Sequence, residues 1–172
     1  MQTRLSPRSR RFGLTTCGAI AIVLACASPL NARRADPAEL LSEAERWVLR
    51  GEVMRAISAY SEVETLNAFF KIGAGSWNRL CWYGALWGYA EDVLDACEKA
   101  VNLAPDNYEI LDSRGLARAL TGDFEGAIED FEVFAESTED ERRRVQRREW
   151  VEMLRRGENP FTEETLQLLF FD

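Results

Sequence analysis

The stretch RGLARALTGDFEGAIEDF, residues 114–131, decides the fold predicted for this chain. Its first half is a helical run that ends at Gly122-Asp123, a pair that favours a tight turn. A second run begins at once, with Ala127 and Phe131 four residues apart and therefore on one face of a helix. The stretch predicts two consecutive helices joined by a short turn.

The same pattern occurs twice more towards the N-terminus. The turn glycines Gly51, Gly88 and Gly122 are 37 and 34 residues apart. Each is followed by residues four apart that would share a helix face: Ala56 and Tyr60, Val93 and Cys97, Ala127 and Phe131. The spacing predicts three helix pairs, at residues 37–50 and 53–66, 76–87 and 92–103, and 107–120 and 124–137.

This pattern resembles the tetratricopeptide repeat (TPR), a helix–turn–helix unit with a period of 34 residues. Trp77 stands where the family has its Trp, and Pro105 closes the second repeat as the family does. Leu40 and Leu111 replace that Trp in the first and third repeats. The resemblance covers residues 36–140 and implies an all-α superhelix of about three repeats. The alternative is a helical bundle of another kind.

Residues 141–172 are expected to close this array with a capping helix over 141–156, ended by Gly157, and a short terminal helix capped by Thr162. The predicted inward stripe of the capping helix is Trp150, Val151 and Leu154. Its predicted outer face is Arg142, Arg143, Arg144, Arg147, Arg148, Arg155 and Arg156. We favour a solvated face there over a site for an anionic partner or lipid headgroups. The terminal segment is expected to dock on the body through Phe161, Leu166, Leu169, Phe170 and Phe171.

The first 32 residues resemble a secretory signal peptide, with four Arg as their only charges and a short apolar stretch over 19–27. Small residues at 25–27 suit a cleavage site. In a second interpretation, residues 23–26 form a bacterial lipobox and Cys26 is lipidated. In a third, the segment stays as an N-terminal anchor. The chain is expected to be exported to the periplasm or secreted, with envelope anchoring as the variant.

In a TPR array, the first helix of each pair lines a groove that holds an extended peptide or a helix. By resemblance, the groove here would be lined by Leu41, Glu45, Val48, Asn78, Trp82, Leu86, Asp112, Leu116 and Ala119. Leu41 and Glu45, and Glu109 and Ser113, stand where the family's carboxylate clamp needs basic and amide side chains. The clamp is therefore not expected. Trp82 either binds a partner or packs against a neighbouring repeat.

Cys81 and Cys97 lie evenly about Tyr89, in the predicted turn of the second repeat. An antiparallel hairpin brings such positions together. A disulfide needs Cα atoms within about 7 Å, whereas packed helix axes lie about 8–10 Å apart. A disulfide, favoured by export, and two buried free thiols therefore both remain open.

Composition excludes several classes of function. The chain has 172 residues, a net charge of −8 and no His, which disfavours nucleic-acid binding and removes His-based catalysis and His-containing metal sites. No Gly-rich phosphate loop is present, and we expect neither an enzyme nor a cofactor. We predict an adaptor or scaffold for another protein in the bacterial envelope. The alternative is a self-associating structural subunit.

Overall fold

The computed structural model describes residues 36–171, and this part of the chain is all-helical. Its eight helices are α1 (Pro37–Leu49), α2 (Val53–Leu66), α3 (Ala74–Leu86), α4 (Ala90–Leu103), α5 (Tyr108–Leu120), α6 (Phe124–Ser137), α7 (Glu141–Arg155) and α8 (Glu163–Leu169). None of the helices described is long and apolar enough to cross a membrane. The predicted leader and Cys26 lie outside the described residues.

Four tight turns end α1, α3, α5 and α7 in the same way. Gly51, Gly88, Gly122 and Gly157 have φ angles of 80°, 85°, 88° and 75°, a conformation that glycine adopts without steric cost. In the first turn, the N–H of Glu52 donates to the carbonyl of Trp47 over 2.9 Å, and the other three turns repeat this bond. Helix α7 therefore ends as the first helix of each repeat does, but α8 begins at Glu163, further from its turn glycine than α2, α4 and α6 are from theirs.

The helices pack as three hairpins whose first helices, α1, α3 and α5, lie side by side. Small residues on the first helices let the second helices approach. Ala44 and Tyr60 are both buried in the first hairpin. In the third, a Cβ atom added to Gly115 would lie 2.9 Å from Cε1 of Phe131. In the third hairpin, a small residue of the first helix therefore packs directly against a large residue of the second.

Three helix starts differ from the prediction by one or two residues. Helix α3 starts at Ala74 and α4 at Ala90, each two residues earlier than predicted. Helix α5 starts one residue later, at Tyr108, because Asn107 caps it: its side chain accepts from the N–H of Glu109 over 3.1 Å. Such shifts of one or two residues leave the packed faces unchanged.

The prediction that Arg147 lies on the outer face of α7 is wrong. This side chain is 0% exposed, and Arg143 and Arg144 are half-buried. The cause is a buried acid on α5, Asp112, which draws the guanidinium of Arg147 inward. By contrast, Arg142, Arg148, Arg155 and Arg156 are exposed, as predicted.

Candidate functional site

A polar pocket of about 220 Å³ lies between α3, α5 and the first turn of α7. Its lining residues are Asn78, Trp82 and Tyr83 from α3, Glu109, Asp112 and Ser113 from α5, and Arg143 from α7. Trp82 is half-buried, so part of its ring is accessible to a ligand. The pocket combines an aromatic wall with amide, hydroxyl and charged groups, as sites that orient a ligand commonly do.

Ion pairs hold the charged wall of the pocket in place. Arg143 donates to both carboxylate oxygens of Glu109 over 2.9 Å each, and to Asp112 over 3.2 Å. Behind it, Arg147 donates to the two oxygens of Asp112 over 2.9 and 2.7 Å. The Arg147 guanidinium also lies 4.4 Å from the ring centroid of Trp150. This network joins α7 to α5 and fixes the geometry of the pocket before any ligand arrives.

The electrostatics of this wall are balanced. Two carboxylates, Glu109 and Asp112, face two guanidinium groups, Arg143 and Arg147. Burial raises the pKa of Asp112, and the hydrogen bond and charge of Arg147 oppose that effect. Arg143 already binds two carboxylates, those of Glu109 and Asp112, so its charge is balanced within the protein.

Asn78 carries an uncompensated polar atom. Its Oδ1 atom is buried and accepts no hydrogen bond from any residue described. Leaving such an acceptor unpaired costs about 1–3 kcal/mol, because the oxygen loses water and gains no donor in exchange. A ligand group that donates to this side chain would remove the penalty on binding. Asn78 and the half-buried Trp82 are one helical turn apart on α3 and line the same pocket.

The structure divides the nine residues predicted to line a groove. Asn78, Trp82 and Asp112 line the pocket, although the Asp112 carboxylate is bound by Arg147. Glu45 is half-buried and pairs with Arg79 of α3. The remaining five are buried in the core, which corrects their prediction as groove lining: Leu41, Val48, Leu86, Leu116 and Ala119. The first helices carry core on this side as well, so the accessible site is shorter than predicted.

Four pocket residues are not among the nine predicted to line the groove: Tyr83, Glu109, Ser113 and Arg143. A signal for Arg143 exists in the spacing of opposite charges. Glu109 and Arg143 are 34 residues apart, and the pairs Glu45–Arg79, Glu64–Lys99 and Asp112–Arg147 are 34 or 35 apart. Equivalent positions of successive repeats lie side by side, so an acid and a base one period apart predict an ion pair between repeats.

The bond between Cys81 and Cys97, which the sequence left open, is formed in the structure. The two Cα atoms are 4.9 Å apart, closer than two helices packed through large side chains allow. Gly84, one turn further along α3, permits this approach: a Cβ atom there would lie 2.5 Å from Cγ1 of Val93 on α4. The close approach of α3 and α4 that the disulfide requires therefore depends on Gly84.

Within residues 36–171, no group of three or more His, Cys, Asp or Glu side chains could hold a metal ion.

No family model matches the chain. Over 61 residues, or 36% of its length, the chain is 36% identical to the DnaJ protein P58IPK homolog of Arabidopsis thaliana, but it spans only 13% of that protein. The chain also matches the crystal structure of the P58(IPK) TPR domain, with a TM-score of 0.56 and 21% sequence identity. The match covers 70% of this chain and 34% of the chain in that structure. The likeness shows that the fold is that of a TPR array.

Proposed function

We propose that this TPR-fold chain is an adaptor that binds another protein, and that the partner inserts a peptide segment or helix into the pocket between α3 and α5. The observation that carries the proposal is the pairing of an unsatisfied amide oxygen, on Asn78, with a partly accessible indole, on Trp82, in one pocket. The amide suits a donor from the partner's backbone or side chain. The indole supplies apolar contact area, and buried Trp residues are frequent hot spots of interfaces.

The rest of the pocket holds these two groups in position. Arg143 and Glu109 neutralise each other, so the partner segment need not carry a matching charge. Ser113 adds a hydroxyl, which already donates to the carbonyl of Glu109 over 3.1 Å and retains acceptor capacity. The pocket therefore favours a neutral polar group next to a large apolar side chain on the ligand.

A displayed peptide library selected on the chain tests this proposal. Selected peptides should bind the Trp82→Ala variant about thirtyfold more weakly, the effect of losing about 2 kcal/mol at a hot spot. Val145→Ala, an exposed apolar change on α7 outside the pocket, is the matched control and should leave binding unchanged. Equal binding to both variants would contradict the pocket as the site.

The Asn78→Ala variant separates binding from folding. Removing the unpaired oxygen should weaken peptide binding without lowering the free energy of unfolding, because no hydrogen bond within the described chain is lost. If Asn78→Ala lowers the free energy of unfolding as well as the affinity for the peptide, this amide has a structural role. Urea denaturation and peptide titration of the same preparation give the two values.

We also propose that the chain is exported, to the periplasm or beyond, either cleaved, lipidated at Cys26 or held by an N-terminal anchor. The leader-like pattern of residues 1–32 supports export, and so does the Cys81–Cys97 disulfide, since such bonds persist in oxidising compartments. The N-terminus of the native protein distinguishes the alternatives. Cleavage predicts a start near Ser28, lipidation a modified Cys26, and an anchor the intact Met1.

Self-association is the second candidate function. The exposed Leu168 and Phe171 favour it, because they place two large apolar side chains near the C-terminus. Sedimentation of the protein at tens of micromolar separates the candidates: a dimer or larger species supports a structural subunit, and a monomer contradicts it.

A further inference from the structure

The C-terminal helix α8 packs against α3 next to the pocket. Its Leu169 is 2% exposed, and the ring centroid of Phe170 lies 4.7 Å from that of Trp87 and 6.4 Å from that of Tyr83. We call Tyr83 and Trp87 the α8 seat. Because Tyr83 also lines the pocket, the pocket and the seat are two parts of one continuous surface of α3.

The segment before α8 is anchored independently. Phe161 is buried, with its ring centroid 4.8 Å from that of Trp150 and 6.1 Å from that of Phe131. Only Thr162 separates this anchor from the first residue of α8. Helix α8 can therefore leave its seat while Phe161 stays in place. Because Phe161 stays anchored and only Thr162 connects it to α8, the helix cannot reach a second copy of the chain.

Helix α8 is weakly held. It has seven residues, of which only Leu169 is buried, whereas Leu168 is 66% exposed. Phe171, just beyond the helix, is 90% exposed. Helices this short are not stable by themselves in water, so α8 depends on the seat for its structure. Such a terminal element with few buried contacts belongs to the least stable part of a fold.

We infer that the α8 seat is the second half of the partner-binding surface, and that α8 occupies it in place of a partner helix. The partner is a short amphipathic helix with large apolar side chains at positions i, i+3 and i+4, the spacing of Leu166, Leu169 and Phe170 in α8. On binding, the partner helix displaces α8, takes the seat, and extends past Tyr83 into the pocket. The inference rests on the proposed function, because it assumes that the pocket binds a protein segment.

A peptide of residues 162–172 labelled with fluorescein is the probe. The full chain carrying Leu169→Asp and Phe170→Asp has an empty seat and should bind this peptide. The wild-type chain should bind it about tenfold more weakly for a peptide Kd of about 0.1 mM, because its own α8 competes at an effective concentration on the order of 1 mM. Leu168→Asp changes an outward residue of the same helix, so this control should behave like the wild type. A peptide carrying Leu169→Asp should not bind either chain.

Equal affinity of the wild-type and empty-seat chains would overturn the inference, as would absence of binding to an empty-seat chain that keeps its helical circular dichroism. If the double variant loses that signal, Phe170→Ala alone takes its place and the same tenfold difference is expected. An empty-seat chain that becomes dimeric and refuses the peptide would assign the seat to a second copy and also overturn the inference. The probe contacts the seat rather than Trp82, so this test and the library selection can fail separately.

Discussion

The second and third repeats close the same hairpin by different means. In α3–α4, Cys81 and Cys97 form a covalent bond at the positions where α5–α6 has Gly115 and Phe131. The third repeat depends instead on a ring packed against a glycine and on charges withdrawn from water. Its Asp130 accepts two hydrogen bonds from Arg114, over 2.9 and 2.7 Å.

This difference shows how far each repeat depends on its neighbours. The disulfide lies within one hairpin and needs no residue from outside it. In contrast, the core of the third repeat extends into the C-terminal cap, since the ring of Phe131 contacts Trp150 and Phe161. The buried Asp112 likewise finds its counter-charges on α7, at Arg143 and Arg147. The second repeat is therefore closed by its own residues, whereas the third is completed by residues 141–161.

The largest effect is expected from Asp112→Asn, which removes the buried ion pair between the third repeat and its cap. Arg147, which is 0% exposed, would lose the carboxylate of Asp112, and losing one partner of a buried pair lowers the free energy of unfolding by about 3–5 kcal/mol. Urea denaturation measures this loss. Glu109→Gln removes a more exposed carboxylate from the same network and should cost about 1 kcal/mol or less. Similar losses for both variants would contradict the role assigned to burial.

Removing the covalent closure of the second repeat comes next. The Cys81→Ala/Cys97→Ala chain should lose about 3 kcal/mol, the value for a loop of about 15 residues, because its unfolded state is less restricted. Reductant should bring the wild type to the level of this variant and leave the variant unchanged. Two reactive thiols from these positions in denatured, unreduced protein would contradict the bond.

A smaller effect is expected where the third repeat needs a glycine. Gly115→Ala places a methyl group 2.9 Å from Cε1 of Phe131, and such overpacking costs about 1–3 kcal/mol. In a chain that also carries Phe131→Leu, Gly115→Ala should lower the free energy of unfolding by less than it does in the wild type. A double-mutant cycle measures this difference as a coupling energy. Gly75→Ala on α3 is the control, because a Cβ atom there meets nothing within 4 Å. It should be neutral or stabilising by up to about 1 kcal/mol, since alanine favours helix.

The smallest effect belongs to a contact that joins the first two repeats at the surface. Arg79 of α3 pairs with Glu45 of α1, and the Arg79 side chain is exposed. A double-mutant cycle with Arg79→Ala and Glu45→Ala should give a coupling of about 1 kcal/mol or less, which falls further in high salt. A coupling as large as the loss predicted for Asp112→Asn would show that ion pairs between repeats do not depend on burial.

Local signals predicted the repeats well. The turn glycines and the capping side chain of Thr162 act over a few residues, and the structure confirms them. The docking of the C-terminal segment through Phe161 and Leu169 is also confirmed, whereas Phe171 is exposed. Apolar content alone indicates that such a segment is partly buried, but it does not indicate which of its faces is buried.

The candidate site was predicted only in part. Asn78 and Trp82 follow from the position of the first helices in a repeat, and both line the pocket. Leu86, one helical turn beyond Trp82 on α3, is buried. Leu116, which stands on α5 one repeat after Trp82, is also buried. Whether a side chain on this face is open or covered depends on helices distant in the sequence, and no pattern within one repeat records that.

The sequence by itself determined the helices, their turns and the order of the repeats, because glycine conformation, helix capping and apolar spacing act within one hairpin. Only the tertiary structure decided that Arg147 is buried and that α8 packs on α3. It also decided that Cys81 and Cys97 come within bonding distance. Each of these outcomes depends on how closely two helices approach and which neighbour each one meets, and those quantities are set by the packing of the whole array.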